Sequence, residues 1–285
     1  MMTMSSKENS AELVRELDAA CRSEKTSFDG GQMVWRMWGS GPPLVLLHGG
    51  YGSWRHFLLN IEPLSRQFTV VAPDMPGFGD SEATPGTVDV DWMSQTVAVG
   101  AREVLGANIG YTALGFSFGS VISSHMPKFA GGDMASLIVV AYNRLGLFEL
   151  RRPEMKSWRQ AKNQEELEAA QRFNLAALMI HNPDAIDDLA VYLQIENTRR
   201  SKIRSLDISK THDLPRRLQE SNIPVSAIWG ARDVTLQTGV EAACEAFENL
   251  FPGASCVVIE DVGHWVQYEA ADKFNDAVCT LVTDA

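Results

Sequence analysis

Three residues far apart in the chain, Ser117, Asp233 and His264, each stand just beyond an apolar run, and their types together are those of nucleophilic acyl transfer. Ser117 lies in Gly115-Phe116-Ser117-Phe118-Gly119. The run before it, Tyr111 to Leu114, reads as a short buried strand, and the stretch to about Lys128 reads as a helix. A serine between two glycines at a strand-to-helix turn has the pattern of a nucleophile elbow. The turn is sharp enough that bulky flanking residues would collide, and it lifts the hydroxyl above the sheet edge.

A serine hydroxyl needs a base, and the base needs an orienting acid. Of six histidines only His264, in Asp261-Val262-Gly263-His264-Trp265, follows a strand end from which an imidazole can swing toward Ser117. Asp233, in Trp229-Gly230-Ala231-Arg232-Asp233, follows another strand end and is placed to accept the Nδ1 proton of that imidazole. The comparable loop before the long insertion offers Asn143 in place of a carboxylate. An oxyanion hole is the third need. The Phe118 backbone N–H, at a helix start, supplies one donor. The loop His48-Gly49-Gly50-Tyr51-Gly52 supplies the second, with Gly50 as first choice and Tyr51 next. His48 itself reads as a structural hydrogen-bonder.

The elements that must hold these groups are legible as a rhythm. Met33 to Trp38 reads as an early antiparallel strand. The apolar runs Leu44–Leu47, Phe68–Ala72, Tyr111–Leu114, Leu137–Ala141, Val225–Trp229 and Cys256–Ile259 read as strands covered on both faces. Helix-length stretches at 54–65, 92–105, 118–128, 239–249 and 266–282 alternate with them. This specifies an α/β, mostly parallel, doubly wound sheet. Residues 11–22 read as an amphipathic helix within an N-terminal helical extension, 1–25. From about Arg144 to Leu214 the rhythm breaks into helical stretches at 154–173, 175–181, 185–195 and 196–206. The expected organisation is a core of 1–143 and 215–285 with a helical cap, 144–214, that leaves from the ligand-binding edge and covers the site.

Composition narrows the function further. With 25 basic and 36 acidic residues the formal charge is −11, which argues against a nucleic-acid partner. The longest apolar runs are too short to span a bilayer, so no membrane partner is expected. Met1 to Ser10 lacks the basic start and apolar block of a signal peptide, which points to a cytoplasmic location. Cys21, Cys244, Cys256 and Cys279 show no metal spacing and read as four reduced thiols; no metal site and no cofactor are expected.

The segments Leu46-Leu47-His48-Gly49-Gly50, Ala72-Pro73-Asp74-Met75-Pro76-Gly77-Phe78-Gly79-Asp80-Ser81, the serine elbow, Gly230-Ala231-Arg232-Asp233 and Gly263-His264-Trp265, in this order, resemble the α/β-hydrolase superfamily. The resemblance covers about residue 26 to the end. It implies a Ser, Asp, His order of catalytic groups, a structural role for Asp74 and Asp80, and a cap formed by the insertion. Residues 263–269 are also similar to the histidine segment of carbon–carbon bond hydrolases of aromatic ring cleavage. In those enzymes Asn precedes the nucleophile, where this chain has Phe116, and a cap arginine holds the substrate carboxylate. Arg172, Arg199 and Arg200 lie in the corresponding stretch.

The expectation is a capped serine hydrolase acting on carboxylic esters, with a carbon–carbon bond hydrolase of a diketone-type acid second and a non-catalytic ligand-binding protein third. Tyr51, Phe116, Trp158, Met179 and Trp265 are the expected contacts to a small-molecule substrate with an apolar portion. Oligomeric state is left open, a homo-oligomer included.

Overall fold

The computed structural model describes residues 6–143, 153–208 and 214–283. Eight strands form one sheet: β1 (Arg22–Phe28), β2 (Gly31–Trp38), β3 (Pro43–Leu47), β4 (Thr69–Asp74), β5 (Tyr111–Phe116), β6 (Met134–Val140), β7 (Val225–Gly230) and β8 (Ser255–Ile259). Their spatial order is β1-β2-β4-β3-β5-β6-β7-β8. The β1–β2 and β2–β4 pairs are antiparallel and all the others parallel.

The continuous apolar runs follow from burial on both faces. Val45 and Leu47 of β3 enter one core layer, and Leu44 and Leu46 enter the other. Each such side chain, fully buried, contributes roughly 1.5–3 kcal/mol. Helices cover both layers. Helix α1 is Ser6–Ala19, α2 is Leu58–Ser65, α3 is Val90–Leu105 and α4 is Phe118–His125. Between β6 and β7 come α5 (Gln164–Asn174), α6 (Asp188–Arg199), α7 (Ser205–Ile208) and α8 (Leu214–Ser221). The chain closes with α9 (Val240–Leu250), α10 (Val266–Glu269) and α11 (Ala271–Thr283). Residues of α3, α4 and α9 pack on the Val45 side, and residues of α1, α2 and α11 on the Leu44 side. Caps fix several boundaries. Asp89 accepts from Trp92 N–H at 2.7 Å to start α3. Asn163 and Asp187 start α5 and α6 in the same way.

Several expectations need correction. Strand β1 escaped notice because Arg22-Ser23-Glu24-Lys25-Thr26-Ser27-Phe28 is polar. It is an edge strand with most side chains exposed, which is where charge is tolerated. The N-terminal helix ends at Ala19, so the last residues of the 1–25 extension are strand. The stretch 54–65 begins as a 3-10 turn, Trp54–Phe57, before α2. The stretch 266–282 is two helices, broken at Ala270, where φ is −137° and ψ is 57°. In the insertion, α5 starts only at Gln164, Leu175–Met179 is a π-helical turn, and α6 runs without a break through 195–196. The expected four thiols are two: Cys244 on α9 and Cys256 on β8 are disulfide-bonded, with Cα atoms 5.9 Å apart, because α9 folds back along β8. Cys21 and Cys279 are free.

Among the described residues no helix is long and apolar enough to cross a membrane, and no group of three or more His, Cys, Asp or Glu is placed to hold a metal ion.

Candidate active site

The C-terminal ends of β3, β5, β7 and β8 lie along one edge of the sheet, and their loops carry the candidate groups. Ser117 sits between β5 and α4 with φ 51° and ψ −108°. Such a positive φ on a non-glycine residue costs of order 1–3 kcal/mol and persists only where surroundings impose it. Here they do. Ser117 N–H donates to Val140 O at 2.8 Å. One turn on, the Ser120 hydroxyl donates to Gly115 O at 2.5 Å and accepts from Val140 N–H at 3.2 Å. A Cβ on Gly119 would stand 2.1 Å from Leu47 O, so only glycine lets α4 start this close to β3.

His264 Nε2 is 3.0 Å from Ser117 Oγ, and His264 Nδ1 is 2.8 Å from Asp233 Oδ2. A carboxylate only accepts, so Nδ1 carries the proton and Nε2 turns its lone pair to the serine. Asp233 is held in turn. Its Oδ1 accepts from Thr235 N–H at 2.9 Å and from the Thr235 hydroxyl at 2.7 Å. The Asp233 and His264 side chains are almost fully buried, whereas Ser117 is partly open to solvent. The carboxylate and the imidazole are thereby shielded from water, while the serine oxygen stays reachable.

The loop after β3 is fixed by two more imidazoles. His48 Nε2 accepts from Met75 N–H at 3.1 Å, so its Nδ1–H donates to Gly49 O at 2.8 Å. His56 Nδ1 accepts from Gly49 N–H at 3.1 Å. Burial pushes both imidazoles below their usual range. For His48 the nearby Asp74 opposes the shift; for His56 the neighbouring His48 and His264 add to it.

The other expected contact residues fall into two groups. Phe116 and Trp265 are enclosed in protein. The Phe116 ring lies 5.3 Å from the His264 ring and 5.4 Å from His56. Trp265 Nε1–H donates to His56 O at 3.0 Å, and Trp265 N–H donates to Met179 O at 2.7 Å. Trp158 and Tyr51 are half-buried, and the Arg159 guanidinium stands over both rings, at 4.0 and 5.8 Å. Met179 is buried, on the π-helical turn.

The helical insertion meets the core at this same edge. Ser53 Oγ donates to Asn197 Oδ1 at 2.6 Å, and Lys202 N–H donates to Gly77 O at 2.8 Å. Glu269 accepts from Gly263, His181 and Asn182 N–H at 2.8, 3.0 and 2.6 Å, tying the His264 loop to the insertion. Asp80 receives Arg36 and Arg200, each at 2.5 Å, and Arg36 also meets Asp74 and Asp18. Burial alone would raise Asp80 and lower Arg36, but the opposite charges around them win, leaving Asp80 low and Arg36 high. Asp74 and Asp80 thus knit the fold together, the role that the family resemblance implies for them. Arg172 is engaged by Ile186 O and Asp188, and Arg199 bonds Gln164 Oε1 at 3.1 Å.

Two clefts have linings that do not include the serine. One of about 660 Å³, between Leu218, Ile223, Phe251 and Ser255, opens at the N-terminal ends of β7 and β8, opposite the sheet edge that carries Ser117. Another of about 410 Å³ lies in the insertion, beside Trp158, Arg159, Asn163 and Arg199. Sequence reasoning missed Thr235, His56, Arg159 and Glu269. Only Thr235 gave a local signal, a hydroxyl two residues after an aspartate.

Comparison with known proteins agrees with this architecture. The chain is 27% identical over 271 residues to the dihydrolipoyllysine-residue acetyltransferase component of the acetoin cleaving system of Pseudomonas putida, covering 91% of this chain and 69% of that one. It is 27% identical over 258 residues to the pimeloyl-[acyl-carrier protein] methyl ester esterase of Aliivibrio salmonicida, covering 85% and 92%. The fold superposes on the esterase RhEst1 from Rhodococcus sp. ECU1013 with a TM-score of 0.73 at 21% identity, over 93% of this chain and 98% of that one. Residues 44–277 match the family model described as alpha/beta hydrolase family, and the chain belongs to that family.

Proposed function

We propose that this chain is a serine hydrolase that cleaves carboxylic esters through an acyl-enzyme. The continuous hydrogen-bonded line Ser117–His264–Asp233 is the observation that carries the reading. His264 Nε2 takes the Ser117 proton as Oγ bonds to the acyl carbon. The oxyanion is received by the N–H groups of Phe118, in the first turn of α4, and Gly50. As the tetrahedral species collapses, the C–O bond to the alcohol breaks and His264 returns the proton to the leaving oxygen. Water then gives a proton to His264, its oxygen attacks the acyl carbon, and the carboxylic acid leaves as Ser117 regains its hydrogen.

In this reading the insertion, expected over 144–214 and described over 153–208, roofs the site and chooses the substrate; 144–152 and 209–213 lie outside the described residues. The insertion's bonds to the loops after β3, β4 and β8 support the placement. Tyr51, Trp158 and Met179 face an apolar portion of the substrate, with Arg159 beside the two rings, while Phe116 and Trp265 hold His264 from behind. A carbon–carbon bond hydrolase is the second reading. Relatives of that class include the 2-hydroxy-6-oxo-6-phenylhexa-2,4-dienoate hydrolase of Burkholderia cepacia, 26% identical over 268 residues. Arg172 is engaged by Asp188 and Arg200 by Asp80, which draws two of the three candidate arginines toward acidic partners of their own and to that extent favours the esterase. A non-catalytic binding role would leave the assembled Ser117–His264–Asp233 line without a purpose.

The test is a panel of short and long p-nitrophenyl esters, a lactone and a ring-cleavage diketone acid, run beside fluorophosphonate labelling. Ester turnover with labelling that is lost in Ser117→Ala is the expected result. Fastest turnover of the diketone acid would replace this reading with the second, and no turnover and no labelling would sink both.

A further inference from the structure

His56 lies outside the proton-transfer line, yet it is 2% exposed and stands between the two loops that the chemistry needs. On one side its Nδ1 accepts from Gly49 N–H at 3.1 Å. On the other, its ring meets Trp265 edge-on at 5.2 Å and Phe116 at 5.4 Å, and Phe116 packs on His264. Space for the ring is built in. A Cβ on Gly52 would come within 2.3 Å of it.

We propose that His56 is a positioning residue: by holding the peptide before Gly49 it completes the anchoring of the Gly49–Gly50 peptide, whose oxygen is already drawn to His48, and so keeps the Gly50 N–H aligned with the His264 ring. The inference rests on the esterase reading above, in which Gly50 N–H receives the oxyanion. A trans peptide is planar, with its N–H and C=O pointing in opposite directions. The Gly49 C=O and the Gly50 N–H belong to one such unit. With Gly49 O drawn to His48, the Gly50 N–H must point the other way. That constraint leaves the preceding peptide, which carries the Gly49 N–H, free to rotate unless something takes its hydrogen. His56 takes it, and both peptides flanking Gly49 are then locked. Only a neutral imidazole can do this, because the Nδ1 that faces Gly49 N–H must offer a lone pair.

The variants separate this role from packing. His56→Phe fills the space and offers no acceptor. His56→Asn places an oxygen near the position of Nδ1, and His56→Gln places one near Nε2. Losing a whole oxyanion donor costs about 10²–10³ in kcat, so a misaimed one should cost about 10–100-fold. The experiment measures kcat, KM, inhibition by a trifluoromethyl ketone matched to the best ester, and the melting temperature. Expected for His56→Phe and His56→Gln is a fall in kcat of that size, with KM within about twofold and inhibition weakened in proportion to kcat. His56→Asn should recover most of both. If the Phe variant does not fold, the Asn–Gln contrast decides alone. The proposal is overturned if kcat is unchanged in the Phe variant, if Asn and Gln are equally impaired, or if Asn restores the melting temperature without restoring kcat and inhibition. Wild-type protein that neither turns over esters nor reacts with a fluorophosphonate would instead remove the underlying esterase reading.

Discussion

Thr235 holds Asp233 twice through the same oxygen, by its N–H at 2.9 Å and its hydroxyl at 2.7 Å, leaving the other carboxylate oxygen to His264. The carboxylate is therefore oriented by contacts that do not involve His264. Replacing Asp233 by Asn should lower kcat by about 10⁴-fold, since the amide can present a donor to Nδ1 and select the wrong tautomer. Thr235→Val keeps the backbone bond and loses the hydroxyl, so a fall of about tenfold is expected with KM unchanged. Steady-state kinetics on one ester checks both; a Thr235 variant as slow as Asp233→Asn would contradict the division of labour.

At Ser117 the backbone and the chemistry make separable predictions. Ser117→Ala should lose roughly 10⁴-fold or more in kcat and all fluorophosphonate labelling. Ser117→Gly should be equally inactive but more stable than the alanine variant by about 1 kcal/mol, because glycine accepts a φ of 51° without strain. That difference is a rise of about 2 °C in melting temperature. Equal melting temperatures would mean that the elbow stores no strain.

Acid stability should report the two buried histidines that hold the loop after β3. Folding lowers His48 and His56, so the unfolded chain binds their protons first as pH falls. Their contribution is complete above about pH 6.5, the unfolded value, and is lost progressively below it toward the folded values. Asp80, also held low, acts in a more acidic window: its contribution is present above about pH 3.9 and lost as pH falls through its folded value. Urea unfolding between pH 8 and pH 5 should therefore lose free energy below about 6.5, with a smaller slope in His56→Asn. A wild-type slope equal to that of the variant would show that His56 titrates alike in both states.

Selectivity should respond to the insertion. Trp158 is half-buried and shares the Arg159 guanidinium with Tyr51, so Trp158→Ala should change the ratio of kcat/KM between short and long esters by roughly 1–3 kcal/mol with little change in melting temperature. Met179 is buried in the core, and Met179→Ala should cost about 2–5 kcal/mol of stability besides. Ratios that stay fixed across both variants would place the substrate elsewhere.

Much of this was legible in the sequence because strands buried on both faces leave continuous apolar runs, and because the chain needs small residues at the Ser117 turn. Ser117, Asp233 and His264 follow such runs directly, so strand ends and residue types sufficed to propose their meeting. What escaped depends on partners distant in sequence. His56 pairs with a backbone N–H seven residues away inside a turn, and Glu269 with three N–H groups from two separate loops. Strand β1 is polar because it is an edge. The joining of Cys244 to Cys256 follows from how α9 lies along β8, which no spacing rule encodes.

Asp80 gives one oxygen to Arg36 and the other to Arg200. Arg36 reaches on to Asp18 at the end of α1, and Arg200 stands directly after α6. One carboxylate thus shares its field between the amino-terminal helix and the helices of the insertion. Free energy exchanged through a shared partner is reciprocal. Removing that carboxylate would release Arg36 and Arg200 together, so a single substitution at Asp80 would loosen both junctions at once. Helix α1 lies outside the span that matches the family, 44–277, and is joined to it through Arg36 and this carboxylate.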